Sequence, residues 1–270
     1  MMISRYEVCQ ELACNDSFCL CRGRCQDGSA VLLKMPRHAP PSPLEVRLLE
    51  HEYAILQGLS LSGVLCVYEL LRSDQEWCLV LEDRGGVPLP MLLATRRLDL
   101  DTFFALTLQV LTILAEVHRR EIIHKYLTPW SILVHPTTGE VCLTDFSRAA
   151  RTVSEPQASL PLSFPSSTLA YLSPEQTGRM NRGVDYRADF YALGVILYEL
   201  LTGSVPFHAE DTLELIHCHL AKLPIPPNAV TATIPEPLSQ IVMKLLAKTA
   251  KERYQSALGL RADLEHCALQ

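Results

Sequence analysis

Short segments of strand-like composition and one helical stretch fill the first 82 residues, and helical spacing takes over beyond them. Segments 6–12, 18–23 and 29–34 read as strands, and Asp27-Gly28 is a strong hairpin turn between the last two. A proline-rich connector (Pro36, Pro40, Pro41, Pro43) leads into Ser42-Pro43-Leu44-Glu45, a capping box with proline at the first helical position. The spacing predicts a helix from there to about Leu56, closed off by Gly58 and Gly63, and two more strands at 64–71 and 76–82. Five strands and one helix make a small sheet-based lobe. Beyond Arg84-Gly85-Gly86 the pattern turns helical. Asp101 is the expected cap of a helix running to about His118, and 190–201 is apolar nearly all round, as in a helix buried at the centre of a lobe. Further helices are predicted near 237–248 and 256–267. The Ser/Pro-rich stretch 148–168 has no periodicity, and a segment of that length inside a compact domain is usually functional. There is no internal repeat.

Composition narrows the function. The 270 residues carry 24 Lys+Arg against 30 Asp+Glu, a net charge of −6, so no basic field exists to hold a nucleic acid. The most apolar run, 102–117, is interrupted by threonines and a glutamine, which argues against a membrane span. The opening residues lack the apolar core of a signal peptide, which points to the reducing cytoplasm and to mostly free thiols among the ten cysteines. Cys9, Cys14, Cys19, Cys21 and Cys25 cluster without the paired spacing of a zinc site. Small core and edge residues are the leading reading; a metal or redox role is the alternative. His217-Cys218-His219 is expected on a helix surface.

Lys34 ends an apolar strand, and Glu52 shares a helix face with Leu48, Ile55 and Leu56. A carboxylate on a core-facing stripe requires a cationic partner. Lys34 is the candidate, and the pair would hold an anionic ligand's phosphates; a solvated lysine and a surface glutamate are the alternative. Further along come His124-Lys125-Tyr126-Leu127-Thr128-Pro129-Trp130-Ser131, Asp145-Phe146-Ser147, Thr168 to Glu175, and Asp189-Phe190-Tyr191-Ala192-Leu193-Gly194. Their order and spacing resemble the protein-kinase family across the whole chain. The nearest likeness is the eukaryotic-like Ser/Thr kinase domain that opens many bacterial multidomain sensor proteins, with 177–182 and 185–191 characteristic of that branch.

The resemblance implies an α+β, bilobal kinase fold: a β-rich N-lobe at 1–82, a mainly helical C-lobe at 83–270, a hinge at about 82–88 and an activation segment at 145–175. Lys34 would grip nucleotide phosphates, with Glu52 as its helix partner. Leu32 would roof adenine, Leu81 would be the gatekeeper, and Glu82 to Arg84 would form the hinge. Asp145 and Ser131 fall at the magnesium positions. Glu175, Arg253 and Asp189 would brace the fold. ATP and Mg²⁺ are the implied ligands, not required for folding, and the implied partners are other domains of a larger signalling protein.

Four departures weaken the implied activity. Tyr126 stands where the family has its catalytic aspartate; a phenol titrates near ~10 and is a poor proton acceptor at neutral pH, and losing a general base costs roughly 10²–10⁴ in rate. Ser131 replaces the metal-binding asparagine. Residues 1–22 contain no glycine, so the phosphate-covering loop is rebuilt as Leu12 to Phe18, and Asp16 adds a charge that opposes phosphate. Ser147 replaces the glycine after Asp145-Phe146, and Leu32 a smaller residue. No Asp or Glu lies between Glu121 and Glu140 to replace the missing base. The expectation is a pseudokinase with weakened nucleotide binding, acting as a regulatory module; a slow, active Ser/Thr kinase is the alternative. The serines at 154, 159, 163, 166 and 167, with Thr168, are candidate regulatory phosphosites, although Lys125 lacks the arginine fork that pairs best with phosphate.

Overall fold

The computed structural model describes residues 2–73, 76–95, 98–151, 166–178 and 183–269. It divides into two compact units, Met1–Arg96 with Pro129–Ala149, and Arg97–Thr128 with Ala150–Gln270. The expected boundary at 82/83 is a single cut, whereas this division is discontinuous.

The first unit is built on a six-stranded antiparallel sheet in the order β1-β2-β3-β4-β6-β5: β1 (Met2–Ile3), β2 (Tyr6–Cys14), β3 (Phe18–Arg24), β4 (Ala30–Pro36), β5 (Val67–Arg72) and β6 (Trp77–Glu82). The Asp27-Gly28 turn forms as expected, because Gly28 takes φ +86° and Asp27 Oδ1 accepts the Ser29 N–H at 2.9 Å. Leu32, Leu33, Leu79, Val80 and Leu81 are fully buried, which anchors the central pair β4–β6. Helix α1 (Pro43–Gln57) starts on the capping box, with Ser42 and Glu45 bonding each other's backbone, and buries Leu49, Glu52, Ile55 and Leu56. The strand expected at 64–71 starts only at Val67. Val64 instead forms a parallel bridge to Leu143, because Gly63 at φ +83° redirects the chain, and the Leu143 N–H donates to the Gly63 carbonyl at 2.7 Å.

The short strand β7 (Val87–Pro88) and helix α2 (Leu89–Thr95) follow, neither legible in the sequence. The chain then passes through α3 (Leu100–Arg119) and β8 (Ile122–Ile123) of the second unit and returns with β9 (Ile132–Val134) and β10 (Val141–Leu143), which pair with β7 in the order β10-β9-β7. One disulfide, Cys14–Cys19, joins β2 to β3. The other eight cysteines are free, in keeping with the expectation of mostly free thiols.

The second unit is helical. The cap of α3 is Asp99, not Asp101: Asp99 Oδ1 accepts the Thr102 N–H at 2.8 Å, and Asp101 lies in the first turn. By length and composition α3 is the one helix among the described residues apolar enough to cross a membrane, but it buries Phe103, Val110, Leu114 and Val117 and packs on the terminal helix of its own unit. After β11 (Ala150–Arg151) and α4 (Ser166–Leu169) comes α5 (Arg187–Thr202), buried without interruption from Ala188 to Tyr198. A Cβ on its Gly194 would come within 2.7 Å of Leu245 Cβ, so glycine is what lets the helix that ends at Leu245 lie close. Helices α6 (Thr212–Ala221), α7 (Pro227–Val230), α8 (Glu236–Leu245) and α9 (Ala257–Ala268) complete the unit. Of the triplet on α6 only His217 is exposed; Cys218 and His219 are buried, against the expectation of a surface triplet, because that face packs on Tyr191, whose hydroxyl meets His219 Nδ1 at 2.9 Å. Most of the 148–168 stretch, with Ser154, Ser159 and Ser163, lies outside the described residues, as does 179–182 of the branch-specific run.

Candidate functional site

Three elements of the first unit converge on one ammonium. Lys34, near the end of β4, points beneath the sheet with its side chain 6% exposed, and its Nζ lies 2.5 Å from Glu52 Oε2 and 2.6 Å from Asp145 Oδ1. Glu52 is wholly buried, and its second oxygen accepts the Phe146 N–H at 2.9 Å, so one carboxylate ties α1 to both the lysine and the 145–147 turn. His51 adds a second tie, its Nε2 lying 2.6 Å from the Ala149 carbonyl oxygen. Asp145 adopts φ +64°, a left-handed conformation that costs of order 1–3 kcal/mol in a non-glycine residue and persists where surrounding bonds hold it. Here the Lys34 ammonium and the Ser147 hydroxyl, the latter at 2.7 Å, both reach Asp145 Oδ1. Ser147, noted as a departure, is thus an orienting donor for Asp145.

The electrostatics follow from the count of charges. Burial alone would strip Lys34 of its proton, but Asp145 and Glu52 outweigh it and hold the ammonium above the usual lysine range. Burial likewise lifts the Glu52 carboxyl, with Lys34 opposing and Asp145 adding to the rise. Two carboxylates to one ammonium leave the cluster a net negative charge, which a bound cation would relieve.

Ser131 is buried, and its carbonyl accepts the Thr144 N–H at 3.0 Å, which sets it beside the backbone leading into Asp145. A carboxylate and a hydroxyl are hard oxygen donors of the kind that suits magnesium, an ion that takes few protein ligands and keeps its waters. Leu32 and Leu81 face each other across β4 and β6, both fully buried. Glu82 pairs with Arg84 at 2.9 Å. Between them Asp83, unremarked in the sequence reading, does most of the local positioning. It pairs with Arg22 Nε at 2.6 Å and accepts the Gly85 N–H at 2.8 Å, while Arg22 reaches the Gly86 carbonyl at 2.7 Å. The Asp-x-Gly spacing is the sequence signal by which this turn could have been found.

The second unit holds the other expected residues. Asp189 is buried, and its carboxylate meets His118 Nε2 at 2.8 Å and accepts the N–H groups of His124 at 2.9 Å and Lys125 at 2.8 Å. Burial works to raise its pKa, but His118 and these bonds prevail and hold it below the ordinary carboxylate range. These bonds help keep Lys125 at φ +61°, directly before Tyr126. Tyr126 is 8% exposed, and its N–H donates to His124 Nδ1 at 3.3 Å. Glu175 and Arg253 form a buried fork, Nη1 to Oε1 at 2.7 Å and Nη2 to Oε2 at 2.8 Å. The structure therefore gathers Lys34, Glu52, Asp145, Ser131, Leu32, Leu81, Glu82 and Arg84 in one unit, and Tyr126, Glu175, Asp189 and Arg253 in the other.

A β-rich antiparallel unit carrying a Lys–Glu–Asp cluster, and a helical unit braced by a buried Asp and a Glu–Arg fork, define a kinase-like protein. The protein kinase domain family matches residues 21–264, and the chain belongs to that family. It is similar to the serine/threonine-protein kinase Pkn1 of Myxococcus xanthus, 30% identical over 243 residues, 88% of this chain and 34% of that protein. It is also similar to the serine/threonine-protein kinase PknB of Mycobacterium leprae, 37% identical over 147 residues, 54% of this chain and 23% of that one. A hybrid signal transduction histidine kinase G of Dictyostelium discoideum is 51% identical over 107 residues, 40% of this chain and 3% of that protein. The chain thus spans about a third or less of these relatives' length.

Proposed function

We propose that this chain is a nucleotide-responsive pseudokinase module of a cytoplasmic, multidomain signalling protein, with lobes at 1–82 and 83–270, that regulates partner domains rather than transferring phosphate efficiently. The observation that carries the reading is Tyr126. Its neighbours are built as for catalysis, with Asp189 shaping the backbone at 124–125, yet the side chain offered is a phenol. An un-ionised phenol does not take a hydroxyl's proton, and no acidic residue between 121 and 140 replaces it. The long histidine-kinase relative supports the placement among other signalling domains.

In this reading Lys34 binds the nucleotide's phosphates, and Glu52 orients Lys34 through the 2.5 Å pair. Asp145 and Ser131 would hold magnesium, which when bound neutralises phosphate charge. Leu32 and Leu81 bound the adenine end, and the backbone at 82–84, fixed by Asp83 and Arg22, would meet its polar edge. Because Asp145 already bonds Lys34 and Ser147 through one oxygen, cation binding must compete with an existing contact, which favours weak affinity.

A slow, active Ser/Thr kinase is the second reading, favoured by the intact Lys34–Glu52–Asp145 cluster. The deciding experiment compares phosphate incorporation by wild-type protein with Tyr126→Asp/Ser131→Asn in Mg²⁺ or Mn²⁺. We expect wild type near background and the double variant faster by roughly 10² or more. Robust wild-type incorporation that Lys34→Ala abolishes would replace the regulatory reading by the catalytic one.

A further inference from the structure

The turn between β2 and β3 occupies the place where a kinase presents backbone N–H groups to phosphate, and here those of Asn15, Ser17 and Phe18 are spent within the turn. Asn15 N–H donates to the Phe18 carbonyl at 2.9 Å, while Asn15 Oδ1 accepts the N–H of Ser17 at 2.8 Å and of Phe18 at 2.7 Å. Arg37 N–H holds the Ser17 carbonyl at 2.8 Å, and Phe18 is in register with Pro36 of β4. Phe18 is 7% exposed, and its ring lies over Lys34 Nζ, 4.9 Å from ammonium to centroid. The aromatic face thus caps the cation that a phosphate would need. The cysteines flanking the turn, Cys14 and Cys19, are cross-strand partners and are joined as a disulfide, with Cys14 exposed to solvent.

We propose that Cys14 and Cys19 form a thiol–disulfide switch over the phosphate end of the Lys34 site, holding Phe18 on the ammonium in the disulfide form and releasing the turn in the dithiol form. The inference rests on the nucleotide site proposed above. A cation–π contact to a desolvated ammonium is strong, and a closed hairpin cannot fray at its tip to give it up. With the staple open, the register pair nearest the turn is free to separate and polyphosphate competes for Lys34. The chemistry closes with glutathione disulfide as oxidant. The Cys14 thiolate attacks one glutathione sulfur and expels a glutathione thiolate. The Cys19 thiolate then attacks the Cys14 sulfur of the mixed disulfide and expels the second. Two cysteine thiols are oxidised by two electrons, one glutathione disulfide is reduced, and the two protons pass to the two glutathione thiolates.

The test uses the full chain, poised with reduced glutathione or glutathione disulfide, with the Cys14–Cys19 state read by alkylation and mass spectrometry and ATP binding by calorimetry with Mg²⁺. Reduction is expected to tighten ATP binding about tenfold or more, since nucleotide no longer competes with a pinned cation–π contact. Cys14→Ser/Cys19→Ser should bind tightly at either poise, and Phe18→Ala should do so with its disulfide intact. Equal affinity of oxidised and reduced wild type, with the disulfide verified, overturns the switch and leaves the nucleotide site standing. Failure of glutathione disulfide to form the bond, or stoichiometric zinc held by the reduced Cys14, Cys19 and Glu11, also overturns it. No ATP binding by any form overturns site and switch together. If the double serine variant fails to melt cooperatively, wild type at both poises and Phe18→Ala decide the matter.

Discussion

The clusters at Arg253 in one unit and at Lys34 in the other are both buried, and they are built differently. At Arg253 the guanidinium meets both oxygens of Glu175 and spends its remaining donors on the carbonyls of Arg187, Ala247 and Lys248, with the side chain fully buried. Charge is balanced one to one and every donor is placed. At Lys34 one ammonium serves two carboxylates, and Asp145 keeps 21% of its side chain exposed. That cluster is over-supplied with negative charge and open at one corner. The first arrangement closes a fold; the second is suited to accepting a cation and an anionic ligand. The comparison sets a closed, charge-balanced pair beside an open, unbalanced one within a single chain.

The sharpest way to break that contrast is to remove each cation. Arg253→Met should cost about 3–5 kcal/mol, because Glu175 is left as an uncompensated buried charge, read as a large drop in melting temperature. Lys34→Met should cost less, since Glu52, already pushed upward by burial, can take up a proton instead. It should abolish any stabilisation by ATP. Equal losses for the two variants would erase the distinction drawn here.

A smaller effect is expected in acid. Burial, with Lys248 adding to it, depresses His219 to about 4. The unfolded chain protonates this residue near 6.5, so its contribution is present above pH 6.5 and is lost as pH falls from about 6.5 to about 4. The total is about 3 kcal/mol. Denaturant titrations of wild type and His219→Gln across that window should converge at low pH by this amount; parallel curves would show that His219 does not titrate as its burial requires.

The smallest test concerns the start of α3. Asp99→Ala should cost about 1 kcal/mol as a lost cap, and Asp101→Ala close to nothing, measured by urea midpoints.

Much of the fold was legible because its signals are local. The capping box at Ser42, the Asp27-Gly28 turn and the all-round apolar run of α5 each follow from a few adjacent residues. The start of α3 was misread because Asp99 and Asp101 are equally good caps in isolation, and only the path of the chain into the helix selects one. α2 and the two- and three-residue strands escaped notice because they are shorter than any period that sequence can display.

The site divides in the same way. Order and spacing along the chain were enough to assign the family, to nominate Lys34, Glu52 and Asp145, and to mark Tyr126 as a phenol where the family has an aspartate, since residue identity is read directly from sequence. Which groups share an oxygen, a ring face or a sulfur is decided by elements distant in the chain meeting in space. The Ser147 hydroxyl on Asp145, the Arg22–Asp83 clamp, the Phe18 ring on Lys34 and the burial of His219 belong to that second kind, because each depends on packing that no run of adjacent residues encodes.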